Sequence, residues 1–106
     1  MTRDINAEIK QEISGNKVVI YMKGTQQAPR CGFSAAAIEV LRSYNVPIKD
    51  INVLDDQEKW QAVKVFSDWP TIPQVYINGE FVGGSDIVRE MHANGQLAPL
   101  IDKAAK

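Results

Sequence analysis

The most reactive residue type in this sequence occurs once, as Cys31. It follows an apolar run and a loop and stands at the mouth of a helix predicted over Phe33–Tyr44. At a helix mouth the unpaired amides and the helix dipole favour an anion, so a cysteine there is biased toward the nucleophilic thiolate. Lys23 and Arg30 add positive charge nearby in sequence. A lone cysteine is commonly a buried, inert one, but loop–helix junctions are exposed and the flanks of this one are polar. A dithiol redox pair would need a second cysteine at position 34, which is Ser34. Any redox cycle at Cys31 must therefore borrow a thiol from outside the chain. One cysteine and one histidine, His92, are too few for an all-protein zinc site. His92 reads as a surface helix residue rather than a ligand.

The elements that must position Cys31 follow from periodicity. Ile5, Ile9 and Ile13 recur at helical spacing, with Gly15 as the stop. Val18–Met22 is a short β-branched run, expected to be a buried strand. Gly24 to Arg30 is loop. Phe33, Ala37, Val40, Leu41 and Tyr44 form a helical stripe. Ile48–Val53 reads as a second strand, and Asp55 as the cap of a helix whose inner face carries Ala62, Val63 and Phe66. Pro70 and Pro73 cannot continue that helix. Val75–Ile77, Asn78-Gly79 and Phe81-Val82 make a strong hairpin signal. Ser85-Asp86 opens a helix with Ile87, Val88 and Met91, closed by Asn94-Gly95, and a last helix spans Leu97–Ala105. Met22 and Met91 are core positions, and Tyr21, Tyr44 and Tyr76 core or rim. Alternating strands and helices followed by an antiparallel hairpin predict an α/β fold, a mixed sheet flanked by helices.

Composition narrows the function classes. The 106 residues suit a single domain over 1–106. Lys+Arg 12 against Asp+Glu 13 argues against a generic nucleic-acid binder. No apolar run approaches the ~20 residues of a membrane span. The start, Met1-Thr2-Arg3-Asp4, has neither a signal-peptide core nor an Arg-rich transit character. A cytoplasmic location is the expectation.

Four motifs together resemble a known family: Lys23-Gly24-Thr25, Pro29-Arg30-Cys31-Gly32-Phe33-Ser34, Trp69-Pro70-Thr71-Ile72-Pro73-Gln74-Val75-Tyr76, and Asn78-Gly79-Glu80-Phe81-Val82-Gly83-Gly84-Ser85-Asp86-Ile87. The chain is similar to monothiol glutaredoxins of the CGFS type. The resemblance implies a thioredoxin-like fold with a four-stranded mixed sheet and a cis Ile72–Pro73 bond. It also implies a glutathione-binding protein that passes a [2Fe–2S] cluster between scaffold and recipient proteins. Glutathione-dependent thiol–disulfide exchange, the removal of glutathione from protein thiols, is the alternative activity, and at most a weak one. Cys31 is the implied catalytic residue and cluster ligand. For glutathione, Lys23 suits the glycyl carboxylate as a point charge. The Thr71-Ile72 backbone suits the cysteinyl unit. Ser85 and Asp86, at a helix start, suit the other carboxylate and the ammonium.

Three departures from the family pattern stand out. Trp60 aligns with an arginine that assists the glycyl carboxylate, so that contact is lost or passes to Lys59 or Lys64. Helix-face packing is the simpler role for Trp60. Ser85 occupies a frequent cysteine position, which removes any pairing with Cys31. Gln26 replaces a frequent loop proline, which is expected to loosen the loop. A [2Fe–2S] cluster takes four ligands, usually thiolates, and one chain supplies Cys31 alone. The resemblance therefore implies a cluster-bound homodimer completed by two glutathione thiols, or a different partner bearing cysteine or histidine. Phe33 either packs against the thiol or anchors its helix.

Overall fold

The computed structural model describes residues 3–105. Five α-helices and four strands follow one another as α1 (Ile5–Gly15), β1 (Val18–Met22), α2 (Gly32–Arg42), β2 (Lys49–Asn52), a 3-10 turn (Val53–Asp55), α3 (Gln57–Ser67), β3 (Gln74–Ile77), β4 (Glu80–Gly83), α4 (Ser85–Ala93) and α5 (Leu97–Ala105). The strand order is β2-β1-β3-β4. β1 runs parallel to β2 and antiparallel to β3, and β3 and β4 form the hairpin. The fold is thioredoxin-like α/β, a four-stranded mixed sheet with helices on both faces.

β1 is apolar throughout because both of its faces are covered. Val18, Ile20 and Met22 point into a core with Ala37, Ile38 and Leu41 of α2, Val88 of α4, and Leu97 and Ile101 of α5. Val19 and Tyr21 point the other way, against Ile9 and Ile13 of α1 and Val63 of α3. Each such side chain gains roughly 1.5–3 kcal/mol on burial, so β1 is the element both layers depend on. The hairpin turns at Asn78 and Gly79, φ 54° and 82°, the left-handed pair that matches strand twist.

Several boundaries differ from the sequence reading. β2 covers only Lys49–Asn52, because Val53 turns into the 3-10 turn, where the Asn52 side chain accepts from the Leu54 amide. The cap of α3 is Asp56 rather than Asp55: its carboxylate accepts from the Lys59 amide. α2 ends at Arg42, short of Tyr44, whose amide then bonds the Leu41 carbonyl in a tighter turn. No described helix is long and apolar enough to cross a membrane.

Candidate functional site

Cys31 is the residue just before α2, in extended conformation, with no side-chain cap of its own. Its thiol is half-buried. The backbone N–H of Ser34 holds the thiol below its ordinary pKa, helped by the N–H of Phe33, the positive charge of Lys23 and the Ser34 hydroxyl, while burial opposes them. This is the helix-mouth effect expected from the sequence, with the amides rather than a cation as its main cause. Arg30 is exposed and plays no part in that shift.

Cys31 borders a cleft of about 490 Å³, within the ~300–1,000 Å³ usual for small-molecule sites. Five segments build its walls: Lys23 just after β1, Cys31 and Phe33 at the head of α2, Trp60 and Lys64 of α3, Trp69–Pro73, and Gly84 with the first turn of α4, Ser85 to Ile87. Thus Cys31, Lys23, Lys64, Thr71, Ile72, Ser85 and Asp86, far apart in sequence, meet around one cavity. The Ile72–Pro73 bond is cis. Ser85 is buried at the helix start and Asp86 exposed beside it. Among the described residues, no group of three or more His, Cys, Asp or Glu is arranged to hold a metal ion.

The cations and the aromatic residues fall into different settings. Lys59 does not reach the cleft: it is 3% exposed, and its ammonium lies 2.5 Å from Glu12 and 3.3 Å from Glu8. Lys64 lines the cleft instead. Trp60 packs on the α1–α3 side of the core and also walls the cleft. The ammonium groups of Lys23 and Lys64 lie over its ring, 5.2 and 6.0 Å from the centroid. Phe33 is no helix anchor, being 64% exposed at the cleft beside Cys31. His92 accepts or donates at Nδ1 with the Tyr44 hydroxyl, 2.6 Å away, on the exposed side of α4.

Three residues support the site in roles that their place in the sequence does not announce. The Ser34 Oγ, fully buried, accepts from the Lys23 amide at 3.1 Å and ties the end of β1 to α2. Asn52 Oδ1 accepts from the Gly24 amide at 2.9 Å. Gln74, also fully buried, donates from Nε2 to the carbonyls of Trp69 and Thr71, while its Oε1 accepts from Tyr76. A glutamine at the head of an apolar strand was the available signal, since a buried amide must find partners. Gln26 does not loosen its loop. Its amide donates to Asp50 Oδ2, and its Nε2 donates to Ile48 O and Asp50 Oδ1, fastening the loop to β2. Gly24 is required there: φ is 92°, and a Cβ would meet Ala28 O at 2.5 Å. Trp69 Nε1 is a buried donor with no partner, on the cleft wall next to Gly84.

Comparison with known proteins places this architecture. The family described as Glutaredoxin matches residues 18–82. The mitochondrial monothiol glutaredoxin-S15 of Arabidopsis thaliana is 54% identical over 89 residues, 84% of this chain and 53% of that protein. The chain belongs to the monothiol glutaredoxins. A second relative, the uncharacterized monothiol glutaredoxin ycf64-like of Synechocystis, is 46% identical over 98% of this glutaredoxin and 97% of its own length. This glutaredoxin thus spans about half the length of the Arabidopsis relative and nearly all of the Synechocystis one. The solution structure of reduced poplar apo GrxS14 superposes with a TM-score of 0.84 at 40% identity, over 94% of this chain and 92% of that one.

Proposed function

We propose that this chain binds glutathione in the cleft beside Cys31 and that two chains with two glutathiones hold one [2Fe–2S] cluster as cargo for other proteins. The observation that carries the reading is the convergence on one cavity of a depressed thiol, two lysines and a helix start. Glutathione carries two carboxylates, an ammonium, amide groups and a thiol. Lys23 and Lys64 complement one carboxylate. The first amides of α4 complement the other, with the Asp86 carboxylate for the ammonium. The Thr71–Ile72 backbone complements the cysteinyl unit, which sets the ligand thiol near Cys31.

Cys31 is the one cysteine of the chain. A four-ligand cluster then takes either two chains with two glutathione thiols, the arrangement proposed, or a different partner bearing cysteine or histidine. One protein bond per chain makes such a cluster labile, which suits delivery to recipient proteins rather than electron storage. The proposed chemistry needs a glutathione-containing, reducing compartment: the cytoplasm, or a mitochondrion, which the name of the Arabidopsis relative specifies for that protein.

Anaerobic reconstitution with iron, sulfide and glutathione tests the reading. Wild type is expected to gain visible absorption and to sediment as a dimer with one cluster, and Cys31→Ser to gain neither. A wild-type monomer with full cluster content overturns it. A second reading rests on the same depressed thiol: the Cys31 thiolate attacks a glutathione mixed disulfide, forms Cys31–S–SG and expels the substrate thiolate. A second glutathione thiolate then releases glutathione disulfide and restores Cys31. Fast turnover of a glutathionylated peptide, with no cluster on reconstitution, favours that reading.

A further inference from the structure

We propose that Trp60 is a positioning residue of the glutathione site, its indole face holding the ammonium groups of Lys23 and Lys64 ready for the glycyl carboxylate. The inference rests on the glutathione reading above. Lys23 follows β1, while Lys64 stands one turn beyond Trp60 on α3, so the two cations come from separate elements. Both line the same cleft as Trp60, with their Nζ atoms 5.2 and 6.0 Å from its ring centroid. Among the described residues, no carboxylate lies within ion-pair distance of either. The negative π face of the indole is the attractive partner that each ammonium group has there.

The choice of an aromatic ring has a chemical consequence. An acid at position 60 would pair with the lysines and compete with a ligand carboxylate. Lys59 demonstrates that outcome one residue away, its charge matched by Glu8 and Glu12. A ring attracts the ammonium groups without neutralising them and leaves their N–H donors for the ligand. It also limits the rotamers of two long, flexible side chains before the ligand arrives, which lowers the cost of binding. Trp60 therefore acts on the carboxylate through the lysines, in the place where the family pattern has an arginine that makes the contact itself.

The test compares reduced glutathione with its glycyl monoethyl ester, in which an uncharged ethyl ester replaces the carboxylate that the lysines would hold. Dissociation constants are read anaerobically by NMR titration of wild type, Trp60→Leu and Trp60→Phe, each first checked for a native amide spectrum. Trp60→Leu keeps apolar bulk without a π face. It is expected to weaken glutathione about 3- to 10-fold while leaving the ester within about 2-fold. Trp60→Phe, with a smaller aromatic face, falls between. Equal weakening of acid and ester overturns the proposal, because Trp60 is then only a wall of the cleft, and so does unchanged glutathione binding in Trp60→Leu. If Trp60→Leu does not fold, the acid-to-ester ratio in Trp60→Phe decides: a ratio equal to wild type overturns the proposal. Wild type that binds neither probe overturns the glutathione reading itself, a different result from all of these.

Discussion

Lys59 and Lys64 stand on the same helix in opposite electrostatic settings. Lys59 belongs to the seam between α1 and α3, where Arg3 bridges Glu8 and Asp56 at 2.5 and 2.7 Å and Lys59 bridges Glu8 and Glu12. Tyr21 of β1 joins the seam by donating to Glu12 at 2.8 Å, and burial together with that carboxylate pushes its phenol far above the ordinary range. Lys64 belongs to the cleft, where it and Lys23 meet an aromatic ring instead of acids. In the seam the fold supplies every counter-charge, so the cations join α1 to α3. In the cleft no carboxylate of the described residues lies within ion-pair distance of either lysine, so the cations remain for a ligand. Residue type alone does not distinguish the two uses; the partners do.

The comparison breaks first at Lys59. Removing a buried cation leaves Glu12 without its partner, and Lys59→Ala should lose about 3 kcal/mol of folding free energy, near the low end for such pairs because Glu12 is part-exposed. Its glutathione affinity should equal wild type. Denaturant titration and ligand titration of one preparation check both halves, and a variant as stable as wild type would show that the Lys59 pairs contribute nothing. Lys23→Ala should give the reverse pattern: glutathione binding weakened by about 1–3 kcal/mol, as for charge-assisted hydrogen bonds, with stability changed by no more than about 0.5 kcal/mol. Asp86→Ala should resemble it. If both variants keep normal affinity and normal cluster lifetime, glutathione does not sit in this cleft as proposed.

The sequence made the cleft easier to read than the seam. Asn78-Gly79 and the flanking apolar runs announce their hairpin locally, and the Val18–Met22 run announces a doubly covered strand. The cleft residues fall in short motifs, and the resemblance brought those motifs together before any geometry was known. The seam had no such signal. Lys59 and Glu12 are separated by 47 positions, and nothing local says that a lysine on a polar helix is buried. The fastening of Gln26 is hidden from local sequence for the same reason, because its partner Asp50 lies 24 residues away. The shift of the α3 cap from Asp55 to Asp56 came from the 3-10 turn that consumes Val53–Asp55, a one-residue matter that propensity does not fix.

A smaller effect sharpens the seam further. Glu8, held chiefly by its hydrogen bonds to Arg3, and Asp56, held the same way, have their pKa values lowered from 4.5 and 3.8 to about 2. A carboxylate whose folded pKa lies below its unfolded value contributes stability that is present above the unfolded pKa and lost as pH falls through the folded one. Stability should therefore decline between about pH 4.5 and pH 2. Arg3→Ala should flatten that decline, and salt should shrink the difference because the pairs are exposed. Denaturation midpoints measured across this range check it; an unchanged slope in Arg3→Ala would assign the acid sensitivity to other carboxylates.

The smallest expected effect concerns the thiol itself and separates backbone from side-chain control within the cleft. The Cys31 thiol is lowered first by the Ser34 amide, then by the Phe33 amide, and only after these by the charge of Lys23. The amides belong to the first turn of α2, and no side-chain substitution removes them while the helix stands. Lys23→Ala should therefore raise the midpoint of the pH-dependent alkylation rate only slightly, with the variant thiol still reacting at lower pH than a free cysteine. Ser34→Ala should also raise it slightly, since it loses the hydroxyl contribution and keeps the amide. Iodoacetamide alkylation followed by intact mass across pH reads both midpoints. A jump in Lys23→Ala to the midpoint of an unstructured cysteine would mean that the cation, not the helix mouth, makes the thiolate. Lys23 would then act on the nucleophile as well as on the ligand, and the loss of glutathione binding in Lys23→Ala could no longer be assigned to the carboxylate alone.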